Sequence, residues 1–126
     1  MKPEETPHGA FALAFAEAVA KGHYELAYSM LSGTLQASTS ANQIAEDYAA
    51  MIGWYECPPE ILPEFEVMNV SNEQDSRLEI STGRTYISTG GAYVSMSNNY
   101  YCEAVSLVMA EEQGRKVIRE IGWGRP

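Results

Sequence analysis

Positive charge is what this chain has least of. Eight Lys and Arg stand against 17 Asp and Glu, a formal net charge of −9. Nucleic acid is disfavoured as a partner, because its phosphates need clustered Lys and Arg. An anionic membrane surface is disfavoured for the same reason. No apolar run approaches the roughly 20 residues of a membrane-spanning helix. The opening Met1-Lys2-Pro3-Glu4-Glu5 has no apolar core region of the secretory type. Cysteine is scarce too. Cys57 and Cys102 lack metal-ligand spacing and read as reduced thiols of a cytoplasmic protein. With two His and two scattered Cys, no metal set forms. No Gly-x-x-x-x-Gly-Lys or Gly-x-Ser-x-Gly pattern occurs, so nucleotide and Ser-nucleophile motifs are absent. No cofactor is expected.

What the chain does contain is a change of period. Its 126 residues, 45% of them apolar, suit one domain with a real core, here 1–126 with 1–7 as a lead-in. Helical spacing fills the first part. Phe11, Ala14, Phe15, Ala18 and Val19 predict a helix from about His8 to Lys21, stopped by Gly22. Tyr24, Ala27, Tyr28 and Leu31 predict a second. Thr34 to Thr39 reads as a polar connector. Ser40-Ala41-Asn42-Gln43 is a capping box opening a third helix, with Ile44, Tyr48, Met51 and Ile52 as its buried stripe. Cys57-Pro58-Pro59 and Pro63 mark an extended crossing.

Strand patterns fill the rest. Phe65, Val67 and Asn69 alternate against Glu66, Met68 and Val70. Asn72 to Ser76 is a turn, Arg77 to Ser81 and Arg84 to Ser88 are short strands, and Thr89-Gly90-Gly91 reads as a hairpin turn. Ala92 to Ser97 alternates Ala92, Val94 and Met96 against Tyr93, Ser95 and Ser97. Tyr101 to Glu111 and Lys116 to Trp123 form a terminal hairpin. In its second arm Val117, Arg119, Ile121 and Trp123 share one face, with Ile118 and Glu120 on the other. Helices followed by strands mean α+β, three N-terminal helices packed on a curved antiparallel sheet.

This order resembles the nuclear transport factor 2-like, or cystatin-like cone, superfamily. The residues that carry the resemblance are Phe15-Ala16-Glu17-Ala18-Val19-Ala20-Lys21-Gly22-His23-Tyr24, then Ala27-Tyr28-Ser29-Met30-Leu31-Ser32, and the hairpin Val105 to Trp123 with Gly at its turn. The resemblance spans about residues 8–124 and implies a sheet curled around a long helix, enclosing a cone-shaped cavity. Its members include isomerases, dehydratases, polyketide cyclases, transport adaptors and bacterial immunity proteins, so the site has to decide the function. The family often dimerises through its outer sheet face, which here implies a homodimer surface from Ala92 to Trp123.

Acid–base chemistry in such a cone needs a carboxylate or His held in an apolar pocket. His8 and His23 read as exposed, Asp47 as the flank of a helix stripe, and Asp75 as a turn residue. Glu103 has two readings. It looks into the cavity mouth beside Tyr101 and Val105, or it lies outside and pairs with Arg119 or Lys116. No catalytic residue is assigned, and a non-enzyme is favoured. Eight Tyr and two Trp supply amphipathic side chains. Tyr28, Tyr48, Tyr101 and Glu103 are the cavity candidates. Trp54, Tyr55, Glu56, Tyr86 and Tyr93 are candidates for a partner surface. Acids gather at Glu56, Glu60, Glu64 and Glu66 around the crossing and at Glu111-Glu112 in the hairpin, and carboxylates among aromatics suit a basic protein partner. The first functional reading is a non-catalytic binding protein that masks a basic protein, for instance an immunity protein against a toxin. The alternative is a small-molecule-binding or isomerase-like cone with a tyrosine-lined cavity.

Overall fold

A computed structural model describes residues 5–53, 55, 57–58, 60–71, 75–79, 84–112 and 114–124. The chain is α+β, with four helices followed by five antiparallel strands among these residues. Helix α1 (Pro7–Ala20) opens on Thr6, whose hydroxyl accepts from Gly9 N at 3.0 Å, with Pro7 in the first turn. It closes at Gly22, whose φ of 81° is the left-handed conformation glycine tolerates. Its buried face holds Ala12, Phe15, Ala16, Ala18 and Val19. Ala14, expected on that face, is exposed, and Ala12 and Ala16 take the core side instead. Fully burying Phe15 alone stabilises the fold by roughly 1.5–3 kcal/mol.

Helix α2 (Tyr24–Ser29) is shorter than its apolar stripe, because Leu31 already belongs to a bridge with Ile118. The expected connector after it is a further helix, α3 (Gly33–Ser38), started by Ser32 accepting from Leu35 N at 3.1 Å. Among the described residues the helices therefore number four rather than three. A Ser cap followed by small residues is easily mistaken for a loop. Helix α4 (Ala41–Ile52) follows the capping box, with Ser40 accepting from Gln43 N at 3.0 Å. Ile44, Tyr48 and Met51 are its buried residues.

The strands are β1 (Glu64–Ser71), β2 (Asp75–Glu79), β3 (Arg84–Ser97), β4 (Cys102–Glu112) and β5 (Arg115–Trp123). Their order is β1-β3-β4-β5, with β2 also on β3. Both β1 and β2 lie along the same side of β3, β1 against Gly91 to Ser97 and β2 against Arg84 to Ser88.

Thr89-Gly90-Gly91 is not a hairpin turn. Strand β3 continues through it, with Gly91 opposite Ser71 of β1 and Val108 of β4. The register slips between Ser88 and Gly90, so Thr89 is the extra residue of a bulge. Gly90 has φ 122°, and a Cβ on Gly91 would stand 2.6 Å from the Leu107 carbonyl oxygen. The pair of glycines thus lets the strand bend and press against β4.

A second bulge makes Arg119 the extra residue of β5, between the partners of Val108 and Met109. It reverses the alternation expected there. Ile118 joins the core, and Ile121 and Trp123 pack against it on the same side. A third bulge at Met68 of β1 turns Val70 toward the core and leaves Met68 exposed. Helix α1 crosses the inner face of β1 and β3, with Val67, Val94, Met96, Leu107 and Met109 beneath it and Phe15 6.3 Å from the Trp123 ring.

The two edges of the sheet differ. At the β5 edge, Ile118 N–H donates to Met30 O at 2.8 Å and Ser32 N–H donates to Ile118 O at 2.7 Å. At the β1 edge, no strand pairs beyond β1 among the described residues.

Candidate functional site

Two arrangements stand out. The first is a cluster of phenols between α4, the crossing after it and β4. Tyr48 projects from the buried stripe of α4, and Tyr101 stands at the start of β4. Their hydroxyls lie 3.0 Å apart, with both residues buried. Tyr55 packs its ring on Tyr101, centroids 5.6 Å apart, and donates its hydroxyl to Glu103 Oε2 at 2.9 Å. Glu103 sits opposite Met96, a core residue, and so faces inward; Lys116 lies opposite Glu111 instead. Burial pushes the Tyr48 hydroxyl well above its ordinary value, and the bond with Tyr101 pushes it further. Burial raises Tyr101 as well, against the bond with Tyr48, which lowers it.

Three of the four cavity candidates therefore converge: Tyr48, Tyr101 and Glu103. Tyr28 is engaged elsewhere. Its hydroxyl donates to Gln36 O and its carbonyl accepts from Gln36 Nε2, both at 3.0 Å, which ties α2 to α3. The histidines differ from each other. His23 is exposed as expected, but His8 is buried in the first turn of α1, with Nδ1 3.2 Å from Lys116 Nζ. Asp47 is half-buried and accepts from Gln43 Nε2 at 3.0 Å. Among the described residues, no three His, Cys, Asp or Glu gather as a metal set. No helix there is long and apolar enough to cross a membrane.

The second arrangement is the segment from Glu60 to Met68. The crossing that carries it is tied down at several points. Tyr55 holds Glu103, and Cys57 Sγ lies 3.7 Å from Ile61 O and 3.6 Å from Asn98 Nδ2. Ile61 N–H donates to Pro58 O at 3.1 Å, and Pro63 is buried. Cys57 and Cys102 are not joined in a disulfide. On this fixed base Glu60, Glu64 and Glu66 are exposed, and so are Ile61, Leu62 and Met68 at 38%, 44% and 53%. Exposed Tyr100 stands at the same end of the sheet, since Ser97 lies opposite Glu64 and the β3–β4 turn follows it. Arg115, Lys116 and Arg119 belong to β5, the opposite edge.

The partner-surface candidates are scattered against this segment. Tyr55 is half-buried and turned onto β4. Tyr93 is half-buried, on the face of β3 away from Val94, opposite Ser106. Tyr86 lies opposite Arg77 on the β2-paired part of β3. Trp54 and Glu56 lie outside the described residues. Sequence reasoning did not single out Ile61, Leu62 or Met68. Pro59 and Pro63 around Ile61-Leu62 were the available signal for a raised apolar pair, and the alternation that sets Met68 with Glu66 was the signal for Met68. No family model, curated protein or solved structure matches the chain.

Proposed function

We propose that this chain is a non-catalytic binding protein that masks a basic protein partner. The observation that carries this reading is the Glu60–Met68 segment, where exposed Glu60, Glu64 and Glu66 lie among exposed Ile61, Leu62 and Met68 on a tied-down backbone. Carboxylates speed and orient encounter with a basic surface, and apolar anchors then hold it. Pre-ordering by Tyr55, Cys57 and Pro63 reduces the entropy lost on binding. With the superfamily resemblance, the most concrete form of the reading is immunity against a toxin with a basic active site.

The phenol cluster favours a second reading, a small-molecule cone. It ranks below the first because the Tyr48 and Tyr101 hydroxyls satisfy each other and Glu103 already accepts from Tyr55.

Capture from the native cell with tagged protein, eluted by high salt and identified by mass spectrometry, tests the masking role. The expected result is a stoichiometric basic protein that the Glu60→Lys, Glu64→Lys, Glu66→Lys triple variant fails to retain. Equal recovery by both proteins, or no protein at all, would remove the reading and direct attention to the phenol cluster.

A further inference from the structure

Resting on the masking reading, we propose that β1 is the docking element, and that the partner adds an extended, alternately basic and apolar segment to it as a further strand. An edge strand sends half of its N–H and C=O groups outward, and these invite pairing by another chain. The other edge is engaged at one residue by the chain itself, where Met30 and Ser32 bond to Ile118 of β5. Among the described residues nothing pairs with the outer side of β1.

The side chains of β1 specify the occupant. Glu64 and Glu66 are exposed, while Phe65 and Val67 turn inward against the core, so the two kinds alternate. A strand laid beside β1 sets its own alternate residues next to each kind, close enough for side-chain pairing. Lys or Arg fits beside Glu64 and Glu66, and apolar residues fit beside Phe65 and Val67. The bulge at Met68 interrupts the regular edge, so pairing covers Glu64 to Val67 and ends there. Exposed Ile61 and Leu62 before it and Met68 after it flank the added strand.

A second copy of this chain is the poorer occupant. Two β1 edges paired with each other would bring the Glu64 and Glu66 carboxylates of one copy against those of the other, and like charges across strands repel.

Two synthetic peptides of identical Lys and Val content test the proposal on the full chain, one alternating and one with Lys and Val in separate blocks. Amide spectra of isotopically labelled protein report binding at Glu64 to Val67. The alternating peptide should bind about tenfold more tightly, from its better-placed cross-strand pairs. Methylating the peptide nitrogens of one alternate set should abolish binding, and methylating the other set should leave it intact. The Glu64→Lys, Glu66→Lys variant should not bind the peptide. Equal affinity for both peptides, with neither methylation harmful, would show charge attraction alone: strand addition would fall and the masking reading would survive. Binding of neither peptide would also end strand addition, and the salt-eluted capture would then decide the masking reading separately. Peptide-free dimerisation with protection of the same amides would name a second copy as the occupant and overturn the proposal.

Discussion

The phenol pair of Tyr48 and Tyr101 shows at the residue scale how a buried polar group can be stable without being available. Each hydroxyl is the other's partner, so removing one strands the other in the core. Tyr48→Phe or Tyr101→Phe should each cost about 1–2 kcal/mol. The double variant should cost less than the sum, by about 1 kcal/mol, in a denaturant double-mutant cycle. The same pair sets a pH response. In the fold both phenols hold their protons to higher pH than in the unfolded chain, where Tyr titrates near about 10. Stability from this source is fully present below that pH and is lost as pH rises above it, because the unfolded state then releases protons first. Base-induced unfolding followed by circular dichroism should therefore steepen above about pH 10, and less so in the double Phe variant. Tyr48 was legible as an inward group because the helical period places it on the buried stripe; Tyr101 and Glu103 share a strand face, but the strand period alone does not say which face of the sheet is covered. Tyr55 was not legible, because it follows the helix end, where no period says which way a side chain turns.

The helices and the strands differ in how much of them the residues announce. Helix starts carry local chemistry, as at Thr6-Pro7 and Ser40 to Gln43, and the observed caps fall there. Bulges carry none. Thr89-Gly90-Gly91 has the composition of a hairpin turn, yet it is a bend inside β3, because long-range partners on both sides, Ser71 and Val108, hold it extended. Arg119 likewise reverses the alternation of β5 without any signal in its neighbours. The bend requires close approach, so Gly91→Ala should destabilise by about 1–3 kcal/mol as the Leu107 carbonyl is displaced. Gly122→Ala is the control. Its Cβ would meet Ser106 Cβ at an ordinary 3.5 Å, and the change should stay within about 0.5 kcal/mol in thermal unfolding. The described residues of the crossing before β1 are held by side chains. Tyr55→Phe removes the bond to Glu103, and amide exchange from Cys57 to Leu62 should quicken while exchange in β4 stays slow.

Asymmetry of charge and of edges organises the whole molecule. One edge of the sheet is acidic, apolar and open among the described residues; the other carries Arg115, Lys116 and Arg119 and is bonded at Ile118 by Met30 and Ser32. The net charge of −9 was legible from composition. Its concentration beside exposed Ile61, Leu62 and Met68 was not, because it depends on which strand ends at the edge. The central claim is that this edge binds a basic protein. It is tested most directly by measuring, by calorimetry at increasing salt, the affinity of the purified chain for the protein it retains. The account predicts that affinity falls steeply with salt and is lost in the Glu60→Lys, Glu64→Lys, Glu66→Lys variant, with its fold intact by circular dichroism. Affinity that ignores salt and survives the triple substitution would contradict it.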